Sequence, residues 1–434
     1  MILLSQTASQ RAANRVFSFS SMKPLEHTLS VFILALWVAG CGRNLSRMKQ
    51  QFDNGKFESA VDLASDDRAL TRTLAVWIVR DAALEEEAFG MEAVELLARA
   101  GAPGEAVLDD LSTQDTVLGR LAEVARYDDE MPDEKMTAFC VGDDHGDVRA
   151  ACMKKHHETL PKAILRKSAM DTDPRVRLYA VRGLIGQPQH DEETSVLLSE
   201  VLRQDPSSKV RAEASSAASI LGKDAYLQLK AALDDPNQGV RLAVLKGIAA
   251  LGSGIGFKRL ETIAQGPIDM MAVAAAAELS RVGNAVGRTR LDAALRDSRP
   301  TIRIAAMMRL ERARYPERTT KLTSMLKDSA PDVVLLAANL LRQERSVRHE
   351  VVAALGRIAS DGGSRRGEAR DQLAVLGDAQ AVVDTREALA DAKESVLLLI
   401  LGRIQDAESL RDDVAAFMGD ARPAVRLAAA KSIL

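Results

Sequence analysis

A pattern that returns about every thirty residues restricts the possible folds of this chain more than any other feature. It is clearest from Asp234 to Gly252, which reads DDPNQGVRLAVLKGIAALG. With Val240 as the anchor, an Asp stands five before it, an Arg one after it, and small or apolar residues three, four, seven and eight after it. Equivalent anchors fall at Val148, Val176, Val210, Met271, Ile302, Val333, Arg365, Val396 and Val425, and less clearly at Thr71 and Val117. From Val210 onward the steps are 30, 31, 31, 31, 32, 31 and 29 residues. A unit of that size cannot bury its apolar face alone, so it must stack on its neighbours.

Inside each unit an Asp-containing loop, often with Pro, leads into a first helix at the anchor; a short break and a second helix follow. In Asp171-Thr172-Asp173-Pro174 the Pro ends one helix and sets up the next. Gly222, Gly252, Gly283 and Gly377, about twelve past the anchors, suit left-handed closure of first helices. Second helices are expected over Ser195 to Leu202, Ala225 to Leu233, Phe257 to Ala264, Arg288 to Leu295 and Thr319 to Leu326. A composition 47% hydrophobic but only 3% aromatic fits close-packed short helices. These features predict an all-α fold, an α-solenoid whose 434 residues form one continuous core. From about Val117 to Leu434 the pattern resembles HEAT repeats, in particular the thirty-residue type named after phycobilisome lyases. That resemblance implies a superhelix of stacked hairpins and leaves the mechanism open.

The recurrent Asp (Asp66, Asp143, Asp171, Asp205, Asp235, Asp297, Asp328, Asp391, Asp420) and Arg (Arg72, Arg149, Arg177, Arg211, Arg241, Arg303, Arg366, Arg426) would form two parallel rows. The expected role is structural, with Asp satisfying free amides at a helix start and Arg bridging to an Asp of the same or adjacent loop. On that reading Arg241→Ala costs about 1 to 3 kcal/mol.

The N-terminus reads as an address. The run LSVFILALWVAGC from Leu29 is too short to span a membrane as a helix, and it ends in small residues and Cys41. Val38-Ala39-Gly40-Cys41 resembles the lipobox of bacterial lipoproteins, which implies that residues 1–40 are a signal peptide and that Cys41 is acylated. A start at Met22 gives a signal of ordinary length, leaving 1–21 as a misread upstream extension. Gly42 rather than Asp after the cysteine favours, by the same resemblance, the outer membrane, with the mature protein facing the periplasm. Residues 41–65 are expected to carry the lipid and a capping helical hairpin, and 66–434 the array.

Chemistry-bearing residues concentrate around Cys140, Asp143, Asp144, His145, Asp147, Cys152, His156 and His157. Four readings stay open: a Cys140–Cys152 disulfide, Cys152 as a small buried hydrophobe, a metal site with Cys140, Cys152, His145 and His156, for which the spacing matches no established zinc motif, or Cys–His catalysis, which needs a nucleophile exposed in a cleft beside an oriented base. No phosphate loop, metalloprotease helix or serine elbow is present, so no catalytic residue, metal or cofactor is assigned. The net charge of −3 gives no general affinity for nucleic acid. Gly254 to Lys327, however, holds 14 basic and 7 acidic residues. If second helices line the concave side, as in HEAT-like stacks, Tyr226, Phe257, Lys258, Arg288, Arg290 and Lys321 are the candidate binding residues, with Tyr315 beside them.

The expected function is a lipid-anchored, non-catalytic scaffold for a protein partner, the alternative being an enzyme or enzyme accessory related to the lyase-type proteins. At the C-terminus, Ala424 to Leu434 is a first helix with no second helix after it, and it is apolar on more than one face. It is expected to dock on something, either a second copy or a partner, the alternative being that small alanines make an exposed patch tolerable.

Overall fold

The computed structural model describes residues 44–127, 131–221, 224–252, 254–310, 315 and 317–434. Among them the regular elements are all helical, and they stack as an α-solenoid. The signal segment, Cys41 and Gly222 lie outside the described residues. First helices include Gly146–His156, Pro174–Gly186, Gln238–Ala250, Met270–Arg281, Pro300–Leu310 and Pro331–Leu341. Second helices run Glu192–Gln204, Ala225–Ala232, Gly254–Gln265, Ala285–Ala294 and Arg318–Met325; the second starts where expected and the others within three residues of their expected starts. Val148, Val176, Val210, Val240, Val333 and Val425 are fully buried. Gly252, Gly283 and Gly377 all have positive φ.

Two anchors are displaced. Arg365 is exposed and precedes the helix Arg366–Val375, where buried Ala369 takes the anchor's place; Val396 is exposed and Leu397 is buried instead. The preceding second helix, Arg348–Ser360, has thirteen residues against eight in Arg318–Met325, which carries the next first helix on by about one turn.

The Asp and Arg rows interlock. Nη1 of Arg177 donates to the carbonyls of Asp171 and Thr172 in its own loop, while Nε and Nη2 grip Asp205 of the next unit at 2.8 and 3.0 Å. Arg149 treats Asp171, Arg211 treats Asp235 and Arg303 treats Asp328 in the same way. Each of these Asp residues also accepts the amide two residues on, from Asp173, Ser207, Asn237 and Ala330, so the Asp shapes its loop and the helix cap is a later residue. Likewise the cap before Arg68–Glu85 is Asp67, not Asp66. Arg241 keeps its bonds to the Asp235 and Pro236 carbonyls. Five before the next anchor stands Gly266, however, so Arg241 has no ladder Asp to grip.

The N-terminal hairpin consists of a helix over 44–53 and Phe57–Ala64, hinged at Gly55 with φ +71°. Phe52 packs against Phe57 and Trp77, with ring centroids 5.6 and 5.7 Å apart. This hairpin and the next helix, Arg68–Glu85, receive the C-terminal helix Pro423–Ile433, which packs along Arg68–Glu85. Val425, Ala429, Ala430 and Ile433 are buried there, and Leu427, Ala428 and Leu434 are half-buried. The expectation of a second copy or separate partner is therefore corrected: this helix docks on the beginning of its own chain. Lys431 reaches Glu92 at 2.8 Å, Arg68 pairs with Glu408, and the Arg426 guanidinium lies 3.9 Å from the Phe57 ring centroid. The row of first helices thus returns to its start.

Cys140 and Cys152 are bonded to each other, and both are fully buried. The bridge ties the short π-helical turn 138–142 to Gly146–His156. Both sulfurs are used, which removes the zinc set imagined with His145 and His156.

Candidate functional site

The side toward which a row of helices bends is the side on which side chains from non-adjacent helices can touch. Lys154 pairs with Glu95 across the intervening helix Val117–Arg126. Lys431 reaches Glu92 across Arg68–Glu85, and Arg342 reaches Asp406 at 2.9 Å across Arg366–Val375. Nη1 of Arg175 lies 3.6 Å from the Met91 sulfur, although the two are 84 residues apart. All these contacts lie on the layer of first helices, which makes that layer the inner, concave one.

Small residues explain the inversion. The layer with the closer spacing must lie inside the curve, and first helices approach closely where they carry Gly and Ala. A Cβ on Gly247 would lie 2.2 Å from the Ser215 carbonyl oxygen of the preceding first helix, and one on Gly183 2.5 Å from that of His157. Met270–Arg281 buries the consecutive alanines 274–277.

The six residues expected on the concave side therefore belong to the opposite layer. Tyr226 and Phe257 are half-buried, and Phe257 packs on the core. Arg290 donates to the carbonyls of Ala264 and Gly266, Arg288 donates to Gly283, and Lys321 pairs with Asp292 at 2.9 Å. Lys258 is exposed. Tyr315 is nearly buried, and burial followed by its hydrogen bond to Asp292 pushes its hydroxyl up to about 12. Much of the basic excess of 254–327 is used in such bonds, including Arg299 to Asp297 and Arg303 to Asp328.

Two grooves on the inner layer each span three successive first helices. One, of about 210 Å³, lies between Pro331–Leu341, Arg366–Val375 and Glu394–Arg403 and is lined by Asn339, Arg342, Glu368, Gln372 and Arg403. Beneath it Asp371 is fully buried and held by Arg370 and Arg403 at 2.6 and 3.3 Å. The other, of about 360 Å³, lies between Gly90–Arg99, Val117–Arg126 and Gly146–His156. Met91, Val94, Leu121 and Val124 form its apolar floor, and Ala98, Ala125 and Ala151 its low walls. Glu95, Arg99, Lys154 and Lys155 stand on the rim. Sequence reasoning missed this groove because the period is weakest there; the signal available was the apolar stripe of Met91, Val94 and Ala98. Among the described residues no three of His, Cys, Asp and Glu are grouped as a metal site requires, and no helix is long and apolar enough to cross a membrane.

Residues 160–249 match a family model described as HEAT repeats, so this stretch, with the units anchored at Val176, Val210 and Val240, is similar to that family. No curated protein matches the chain. Among solved structures the chain is similar to an engineered protein of the Northeast Structural Genomics Consortium, 18% identical over 87% of this chain and 98% of that one, with a TM-score of 0.25.

Proposed function

We propose that this protein is a lipid-anchored, non-catalytic interaction scaffold of the bacterial cell envelope, whose inner layer of first helices binds a protein partner. The observation that carries the proposal is the solvent-open apolar groove on that layer, shared by three successive helices. Repeats of HEAT type stack into extended concave faces of this kind. The polar groups beside the grooves are engaged with one another, as in Lys154 with Glu95 and Arg403 with Asp371, an arrangement suited to a recognition surface more than to a reaction centre.

Anchoring rests on the lipobox at Cys41, and the buried Cys140–Cys152 bridge suits an oxidising compartment such as the periplasm. Only Gly42 and Arg43 separate Cys41 from the helix 44–53, a reach of about 10 Å when extended. Acyl chains on Cys41 would keep the N-terminal hairpin, and the C-terminal helix beside it, near the bilayer surface. The anchor is tested by Cys41→Ala, which should leave an unprocessed or soluble product that takes up no labelled palmitate; unchanged uptake would remove it. Cross-linking on membranes followed by mass spectrometry tests the scaffold, with a reproducible protein partner expected and none contradicting it.

A further inference from the structure

We propose, building on the scaffold reading, that the groove between Pro331–Leu341, Arg366–Val375 and Glu394–Arg403 binds an extended segment of a protein partner by its main chain, through the side-chain amides of Asn339 and Gln372. What is left unbonded in the groove selects the ligand. Arg342 pairs with Asp406, Arg403 with Asp371 and Glu368, and Glu368 with Arg365 as well, so each charged side chain of the lining already has a partner. The amides of Asn339, which is exposed, and Gln372, which is half-buried, hold no hydrogen bond among the described residues. Each offers donors and an acceptor without charge, the complement of a peptide group in another chain. An ionic ligand would instead compete with pairs already made.

The main chain of the partner must be free to meet the amides. An α-helix has already spent its main-chain groups on its own hydrogen bonds, whereas an extended segment presents them. Three successive helices spaced about 8 to 10 Å apart give a groove roughly 16 to 20 Å long, the length of about five or six extended residues at ~3.3 Å each. Ala338, Val375 and Leu376 add apolar surface to the same lining, and every second side chain of an extended segment can face it. Among the described residues the lining holds no aromatic ring to take the apolar face of a sugar, which favours a peptide over a glycan.

The test uses the full-length chain in detergent and a hexapeptide of alternating Val and Thr, capped at both ends and labelled with a neutral dye. A counterpart N-methylated at alternate residues keeps the side chains and loses main-chain donors, and an N-acetylglucosamine oligosaccharide serves as the competing probe. Anisotropy should show binding of the plain peptide that salt leaves unchanged, since no free charge takes part. The N-methylated peptide should bind about tenfold more weakly or worse. Asn339→Leu and Gln372→Leu, which remove an amide and nearly keep the side chain's size, should each weaken binding about fivefold. Melting should stay unchanged in both, because neither amide bonds within the chain. Equal binding of the two peptides, binding untouched by both substitutions, binding lost in salt, displacement by the oligosaccharide, melting lowered by either substitution, or no binding at all would overturn the proposal. A partner cross-linked on membranes that the double variant still captures would sink the groove and leave the scaffold standing. Peptide binding by a chain that captures no partner would do the reverse.

Discussion

The joint between the units anchored at Val176 and Val210 and the seam between the two ends of the chain use the same arginine in two ways. At the joint, Nη1 of Arg177 holds its own loop and the other nitrogens grip Asp205, with the two side chains only 10% and 5% exposed. At the seam, Nη1 of Arg426 holds the carbonyls of Asp420 and Ala421 in the same way, but among the described residues it grips no Asp carboxylate of another unit, and the guanidinium lies against Phe57 of the N-terminal hairpin. Lys431 lies 4.5 Å from the Phe89 ring centroid nearby. Joints between like units are set by directional, paired bonds that fix register. The seam joins unlike units and is held by apolar surface, cation–ring contacts and a close backbone approach, and its ion pairs, Lys431 with Glu92 and Arg68 with Glu408, are far more exposed than the rung at Asp205.

Acid should separate the two most widely, because it acts on several rungs at once. Burial pushes Asp171 up, but the Arg149 bond and the Asp173 amide outweigh it and hold the carboxyl below its ordinary value; Asp235 is held low chiefly by Arg211, against burial. Carboxyls with depressed folded values contribute stability that is present above the unfolded value, about 3.9, and lost as pH falls through the folded one. Hydrogen exchange in Pro174–Gly186 should therefore rise as pH drops below about 4, ahead of exchange in Arg68–Glu85 at the seam. Loss in the opposite order would mean that the rungs are not what acid acts on first.

Next in size is Arg177→Ala, which strands the buried Asp205 and should cost about 3 kcal/mol in denaturant unfolding, at the low end for breaking a buried pair. Arg241→Ala removes only bonds to carbonyls and should cost about 1 to 2 kcal/mol. Equal losses would mean that the inter-unit grip adds nothing. Gly419→Val acts at the seam alone: a Cβ there would sit 3.0 Å from the Glu58 backbone Cα, so the ends must part, at a cost of about 1 to 3 kcal/mol and with protease sensitivity appearing near Asp420. The smallest effect belongs to Phe57→Leu, which keeps apolar contact and gives up the ring under Arg426, for about 0.5 to 1 kcal/mol. A loss as large as that from Arg177→Ala would make the ring the main clasp.

The period, the buried valine anchors and the rungs were legible because each follows from contacts within a unit or with the next. Arg365 and Val396 were misplaced because the helix Arg348–Ser360 is longer than the second helix before it, Arg318–Met325, and the excess is not assigned to a helix by spacing alone. The concave side was misassigned because it depends on how closely two layers pack, which Gly183, Gly247 and the alanines 274–277 decide jointly. The C-terminal helix announced by its composition that something covers it. What covers it could not be read, since Arg68 and Glu408 are 340 residues apart and the closure sums small rotations over the whole array.

A zero-length carbodiimide cross-link tests that closure on the unmodified chain. Lys431 Nζ stands 2.8 Å from the Glu92 carboxylate, close enough for an amide to form without a spacer. Mass spectrometry of the monomer band should recover the Glu92–Lys431 linked peptide, with a yield unchanged on dilution. Its absence, or its recovery only from dimers, would contradict a chain that closes on itself.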